Sequence, residues 1–133
     1  MSLFYEDDEE KKLTASETII MKAVWSEKED ISLMRLMEVL EQQFSRKYAR
    51  TTVETFLLKL AAKGFVNTYR AGRKSYVHPL KSEEEYRNKL IKDEVNFWFH
   101  GKAAGMMSAL CGSDGITKED ADEIRSILDE FDD

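Results

Sequence analysis

The chain's 133 residues suffice for one ordinary core, or a small core with an appendage, because a single core typically takes on the order of 100 residues. With 42% hydrophobic residues, 35% charged residues and one proline, the composition is that of a soluble, helix-rich globular protein and excludes a disordered or fibrous chain. A formal charge of -6 argues at first against a polyanionic partner, but its distribution reverses that impression.

Met1 to Glu10 carries five acids and no base, and Ser82 to Asp133 is also acidic, at -8. Between them, Phe44 to Lys81 sets nine basic residues against the single acid Glu54. Such a segment attracts a polyanion through its local field whatever the net charge; the alternative is a merely solvated basic face. No apolar run approaches the ~20 residues that span a bilayer. The acidic start is also unlike a secretory signal, which is basic and then apolar. A cytoplasmic protein without membrane association is therefore expected. The one cysteine, Cys111, excludes an intrachain disulfide and a cysteine-rich zinc cluster, and is expected to be a buried, small apolar side chain.

In chain order, residues 1–12 are expected to form an acidic, disordered tail. Thr14-Ala15-Ser16-Glu17 fits a capping box and opens a first helix to about Trp25, with Ile20, Ala23 and Val24 on its apolar face. Ile31 is expected in a short extended segment. Ser32 then caps a second helix whose Leu33, Leu36, Met37, Leu40 and Phe44 share one side. A third helix runs from near Ala49 to Gly64, with Val53, Phe56, Leu57 and Leu60 inward and a glycine stop. Its other face carries Arg50, Thr51, Thr52, Thr55 and Lys59. That small, polar, basic surface suits a major groove about 12 Å wide and lined with hydrogen-bonding base edges. Three β-branched residues there lower helix propensity without a packing gain.

Phe65 to Arg70 and Arg73 to His78 flank Ala71-Gly72 and read as a hairpin, with Arg70, Arg73 and Lys74 at its tip. Three helices and a basic-tipped hairpin make a winged helix-turn-helix. The fold class is thus mostly α with a small β-hairpin wing. Residues 13–81 form the DNA-binding domain, and 82–133 form a helical dimerisation domain. DNA contacts are assigned to Arg46, Lys47, Arg50, Thr51, Thr52, Thr55, Lys59, Arg70, Arg73 and Lys74.

Ser82 to Glu85 is a second capping box, opening a helix to about Phe99 whose apolar residues include Tyr86. A short helix follows over Lys102 to Cys111, and Thr117 caps a last one. About 50 residues are too few to bury these apolar faces among themselves. A second copy of the chain is the expected partner, through Leu90, Ile91, Val95, Trp98, Met106, Met107, Leu110, Ile124, Leu128 and Phe131; the alternative is packing back on the first domain. No Ser/His/Asp grouping, phosphate-binding glycine loop or HExxH occurs. Neither an enzyme, a cofactor nor a small-molecule substrate is expected.

Leu13 to Trp25, Thr52-Val53 to Lys63-Gly64-Phe65-Val66, Gly72-Arg73 to Tyr76, and Ile116-Thr117 to Ile127-Leu128 resemble, in order and spacing, the penicillinase repressor family (BlaI/MecI, with the copper-responsive CopY repressors as relatives). The resemblance covers nearly the whole chain from Leu13. It implies a homodimeric repressor on a palindromic operator of β-lactamase or related resistance genes, released through the pathway of a membrane-bound sensor protease. Some repressors resembling this chain have proline where Arg50 stands and a basic residue where Glu54 stands. The paired cysteines of the copper-responsive relatives are absent, and Lys102 to Met107 differs from the segment cleaved in the family. The competing reading is a winged-helix interaction module that binds an acidic protein partner.

Overall fold

A computed structural model describes residues 12–132. The expected acidic tail, apart from Lys12, lies outside the described residues. Six α-helices and a three-stranded antiparallel sheet make up most of the described chain; the helices and the hairpin are as the sequence predicts, and Ile31, expected only in a short extended segment, joins the hairpin as part of a third strand. They form two compact units, the first ending at Asn88 and the second beginning at Lys89.

In the first unit, α1 (Ala15–Trp25) starts from a complete capping box: the Thr14 hydroxyl accepts from the Glu17 amide, and the Glu17 carboxylate accepts from the Thr14 amide. β1 (Ile31–Ser32) leads directly into α2 (Leu33–Phe44), whose N-cap Ser32 accepts from the Arg35 amide. α3 (Arg50–Ala62) has no side-chain cap at Ala49. Gly64, at φ +83°, turns the chain into β2 (Val66–Ala71), a conformation glycine adopts without steric cost. β2 pairs antiparallel with β3 (Lys74–Pro79), and β1 adds to the other side of β3, with Val77 opposite both Thr68 and Ile31.

The hairpin turn is Gly72-Arg73, one residue later than the sequence predicts, because Ala71 pairs with Lys74. Gly72 at φ +65° is the first central residue, and Arg73 has no positive φ. Glycine at that position fits a type II′ turn, whose twist matches the flanking strands.

Ile20, Val24, Leu36, Leu40, Val53, Leu60 and Phe65 are buried at the centre of this unit. Met21 and Val39 are equally buried and join the apolar faces read from sequence. Tyr86 belongs here too, not with a separate helical domain. Its hydroxyl accepts from the Leu13 amide at 3.1 Å, and its ring meets Phe65 edge-on at 5.3 Å and lies 6.2 Å from Trp25. Its helix, α4 (Glu83–Phe99), therefore contributes its first turns to the winged-helix core.

In the second unit, α4 ends at His100 and Gly101, both at positive φ. α5 (Ala103–Gly112) and α6 (Lys118–Asp129) follow, and Thr117 caps α6 through a capping box with Asp120. A Cβ on Gly105 would lie 3.0 Å from Phe99 Cδ1, so α5 packs closely on the end of α4. Apolar burial is otherwise sparse. Among the described residues of this unit Val95 is the buried one, while Ile91, Trp98, Leu110, Leu128 and Phe131 are exposed, Trp98 at 65% and Phe131 at 82%. Leu90, Met106, Met107 and Ile124 are half-buried. Cys111, expected to be buried, is exposed, because among the described residues none covers its side of α5. Among the described residues no helix is long and apolar enough to cross a membrane.

Candidate nucleic-acid interface

α2 and α3 are joined by residues 45–49, a turn opened by Ser45 at φ 56°. The Arg46 amide bonds back to the Leu40 carbonyl at 2.9 Å, an oxygen that also accepts from the Ser45 amide, so the turn is tied to the end of α2. Arg46 and Lys47 project from this turn and are exposed.

On α3, Val53, Leu57 and Leu60 face the core. At 3.6 residues per turn, Thr51, Thr55 and Leu58 form the line nearly opposite. Thr52 and Lys59 flank it on one side, Arg50 and Glu54 on the other. All but Phe56 among the outward positions 50–59 are exposed. The Thr55 hydroxyl donates to the Thr51 carbonyl at 2.9 Å, so its hydrogen is spent within the helix and its oxygen remains an acceptor. Arg50 Nε lies 3.5 Å from Glu54 Oε2 in an exposed i,i+4 pair, an arrangement worth only a few tenths of a kcal/mol, roughly 0.3–0.5.

The wing is braced from its root. Asp30, in the loop before β1, accepts from the Tyr69 hydroxyl at 2.6 Å and holds His78 Nδ1 at 2.7 Å. The Tyr69 and Tyr76 rings stack across the hairpin at 5.6 Å. The bonds from Tyr69 and then His78 hold the Asp30 carboxyl below its ordinary range, and the same carboxylate raises the Tyr69 phenol. This brace fixes the hairpin that carries Arg70, Arg73 and Lys74.

Arg50, Arg73 and Lys74 come together around one depression of about 230 Å3, where Arg35 of α2 joins them and Glu38 is the one acid among its lining residues. Lys47 borders a separate depression beside Tyr48, and Lys59 and Thr52 lie on the other flank of α3. The sequence reading left Arg35 and Leu58 out of this surface and named Glu54 as the single acid of the basic segment. Arg35 is held by Glu27 at 2.9 Å and Glu38 at 3.7 Å. Glu54 is an acid within the basic face. Leu58 stands 73% exposed at the C-terminal end of the threonine line; the sequence reading assigned it to neither face, and its helical phase, one position beyond the buried Leu57, marks it as outward.

Among the described residues no group of three or more His, Cys, Asp or Glu side chains is placed to hold a metal ion. The surface offers cations on two elements, hydroxyl groups between them, and a helix whose outer face is turned away from the core. These are the elements with which a winged helix meets duplex DNA.

Comparison with known proteins agrees. The family model described as penicillinase repressor matches residues 13–130. The chain is 24% identical over 120 residues to the penicillinase repressor of Bacillus licheniformis, covering 90% of this chain and 91% of that protein. It is 21% identical over 122 residues to the methicillin resistance regulatory protein MecI of Mammaliicoccus sciuri, covering 92% and 97%. The MecI protein of Staphylococcus aureus strain N315 is 20% identical over a span of the same length. The chain belongs to the penicillinase repressor family.

Proposed function

We propose that this chain, a DNA-binding transcriptional repressor by family, acts in the cytoplasm as a homodimer on a palindromic operator that controls β-lactamase or related resistance genes. The observation that carries this reading is the meeting of Arg50, Arg73 and Lys74 beside the threonine line of α3. Cations from the helix start and the wing grip the backbone along one edge of the groove that α3 enters, and the hydroxyl groups face base edges. Phosphate contacts fix position, while base contacts select sequence.

Dimerisation follows from the second unit, whose exposed Trp98, Leu128 and Phe131 gain stability only by being covered. A twofold pair presents two recognition helices to half-sites about 34 Å apart, one turn of the duplex. Release of repression through a membrane sensor's protease pathway is the step the family resemblance adds.

Gel-shift titration on the duplex upstream of the protein's own gene, repeated from low to high salt, tests this reading. With about six phosphates neutralised per protomer pair, the logarithm of affinity should fall with a slope near -5 against the logarithm of salt. A flat profile would favour an acidic protein partner instead.

A further inference from the structure

We propose that Leu58 reads the C5 methyl group of a thymine, making it a specificity-determining residue beyond the polar set on α3. The inference rests on the DNA-binding reading above and names a chemical feature of the sequence recognised.

Leu58 follows Thr51 by seven residues and Thr55 by three, so the three side chains lie along one line of α3. The core does not use it: Val53, Leu57 and Leu60 are at most 5% exposed, whereas Leu58 is 73% exposed. A solitary surface leucine is ordinary in itself. This one stands in the line that faces the groove, between polar and charged neighbours. It borders a depression of about 380 Å3 between α3 and the sheet, with Leu33, Leu57 and Val77 among its lining residues. Leu33 and Ser75 also line the depression formed by Arg50, Arg73 and Lys74, so the apolar position adjoins the cationic grip.

Chemistry selects the occupant. Leucine offers no hydrogen bond, and the C5 methyl of thymine is the one apolar group among the major-groove base edges. A leucine against the amino group of cytosine or adenine leaves that donor unpaired, which penalises those bases. Seven residues of helix span about 10 Å, farther than the ~3.4 Å step between base pairs. Leu58 therefore reads a different base pair from Thr51.

The test uses the full-length protein and a duplex covering the region upstream of its own gene, amplified either with thymidine or with deoxyuridine in its place. The two duplexes share every hydrogen-bonding group and differ in the C5 methyls. Covering one methyl is worth about fourfold in affinity, so a dimer using two should favour the thymidine duplex by roughly fifteenfold. Leu58→Ala should bring that ratio close to one, leave the salt slope unchanged and unfold at the wild-type temperature; Leu58→Met should keep most of the preference. The proposal is overturned if the wild type binds both duplexes equally, if Leu58→Ala keeps the full preference, or if Leu58→Ala weakens both duplexes by the same factor. Failure of the wild type to bind even the thymidine duplex would instead remove the DNA-binding reading, and this proposal with it.

Discussion

Lys63 Nζ lies 2.6 Å from Glu17 Oε1 and 2.9 Å from the Lys12 carbonyl oxygen, so one ammonium ties the start of α1 to the end of α3. The Glu17 side chain is almost fully withdrawn from solvent, while Lys63 keeps partial access. Burial pushes the Glu17 carboxyl up, but the Lys63 hydrogen bond and charge and the bonds with Thr14 outweigh it, holding the group below its ordinary 4.5. Removing the ammonium leaves a buried carboxylate poorly compensated. Lys63→Met should therefore lower stability by about 2–3 kcal/mol, read by urea unfolding at neutral pH. An unchanged midpoint would mean the pair does not hold the helices together.

The same pair sets an acid limit. Because the folded carboxyl titrates below its unfolded value, its stabilisation is complete above 4.5 and is lost as pH falls through the folded value. Unfolding midpoints measured from pH 6 to 3, roughly one unit either side of the carboxylate range, should decline in the wild type. The decline should be shallower in Glu17→Gln, which has no proton to take up.

Within the DNA surface, Thr52→Ala should reduce the preference for operator over scrambled duplex, by an amount equivalent to about 1–3 kcal/mol for a good base contact. Arg73→Ala should weaken both duplexes and reduce the salt slope by about one. If neither substitution alters binding in parallel titrations, the contact surface lies elsewhere.

Glu54 is expected to restrain Arg50. Glu54→Gln removes the one acid on this face of α3 and frees the guanidinium held at 3.5 Å. Binding to scrambled duplex should strengthen by roughly twofold, the scale of an exposed i,i+4 ion pair, and selectivity should drop. Unaltered affinity for scrambled DNA would place Arg50 away from the phosphates.

In the second unit, Leu128→Asp sets a charge on an exposed apolar position of α6. Sedimentation should find a single subunit at concentrations where the wild type is paired, with the helical content kept. An intact pair would remove α6 from the interface.

The helices, their caps and the hairpin were legible because each is written locally. Thr14 and Glu17, Ser32, Thr117 and Gly72 act within a few residues of themselves, and apolar spacing marks the inner faces of α2 and α3. What the sequence hid depends on distant neighbours. Glu17 reads as a cap residue, and its burial is intelligible only once Lys63, 46 positions on, supplies the counter-charge. Tyr86 reads as part of a helix's apolar surplus, yet its hydroxyl and ring find partners in Leu13 and Phe65. The one-residue shift of the hairpin turn follows from strand pairing, which periodicity does not register. On the proposed DNA surface, the basic and threonine positions stand out by residue type, whereas Leu58 was assigned to neither face because leucine carries no polar or charged group to mark it.

The most direct test of the central claim is hydroxyl-radical footprinting of the DNA upstream of the protein's own gene. Two protected patches related by a twofold axis, on one face of the duplex and centred about one helical turn (~34 Å) apart, are expected. Absence of protection, or a single patch without symmetry at saturating protein, would contradict a paired winged-helix repressor.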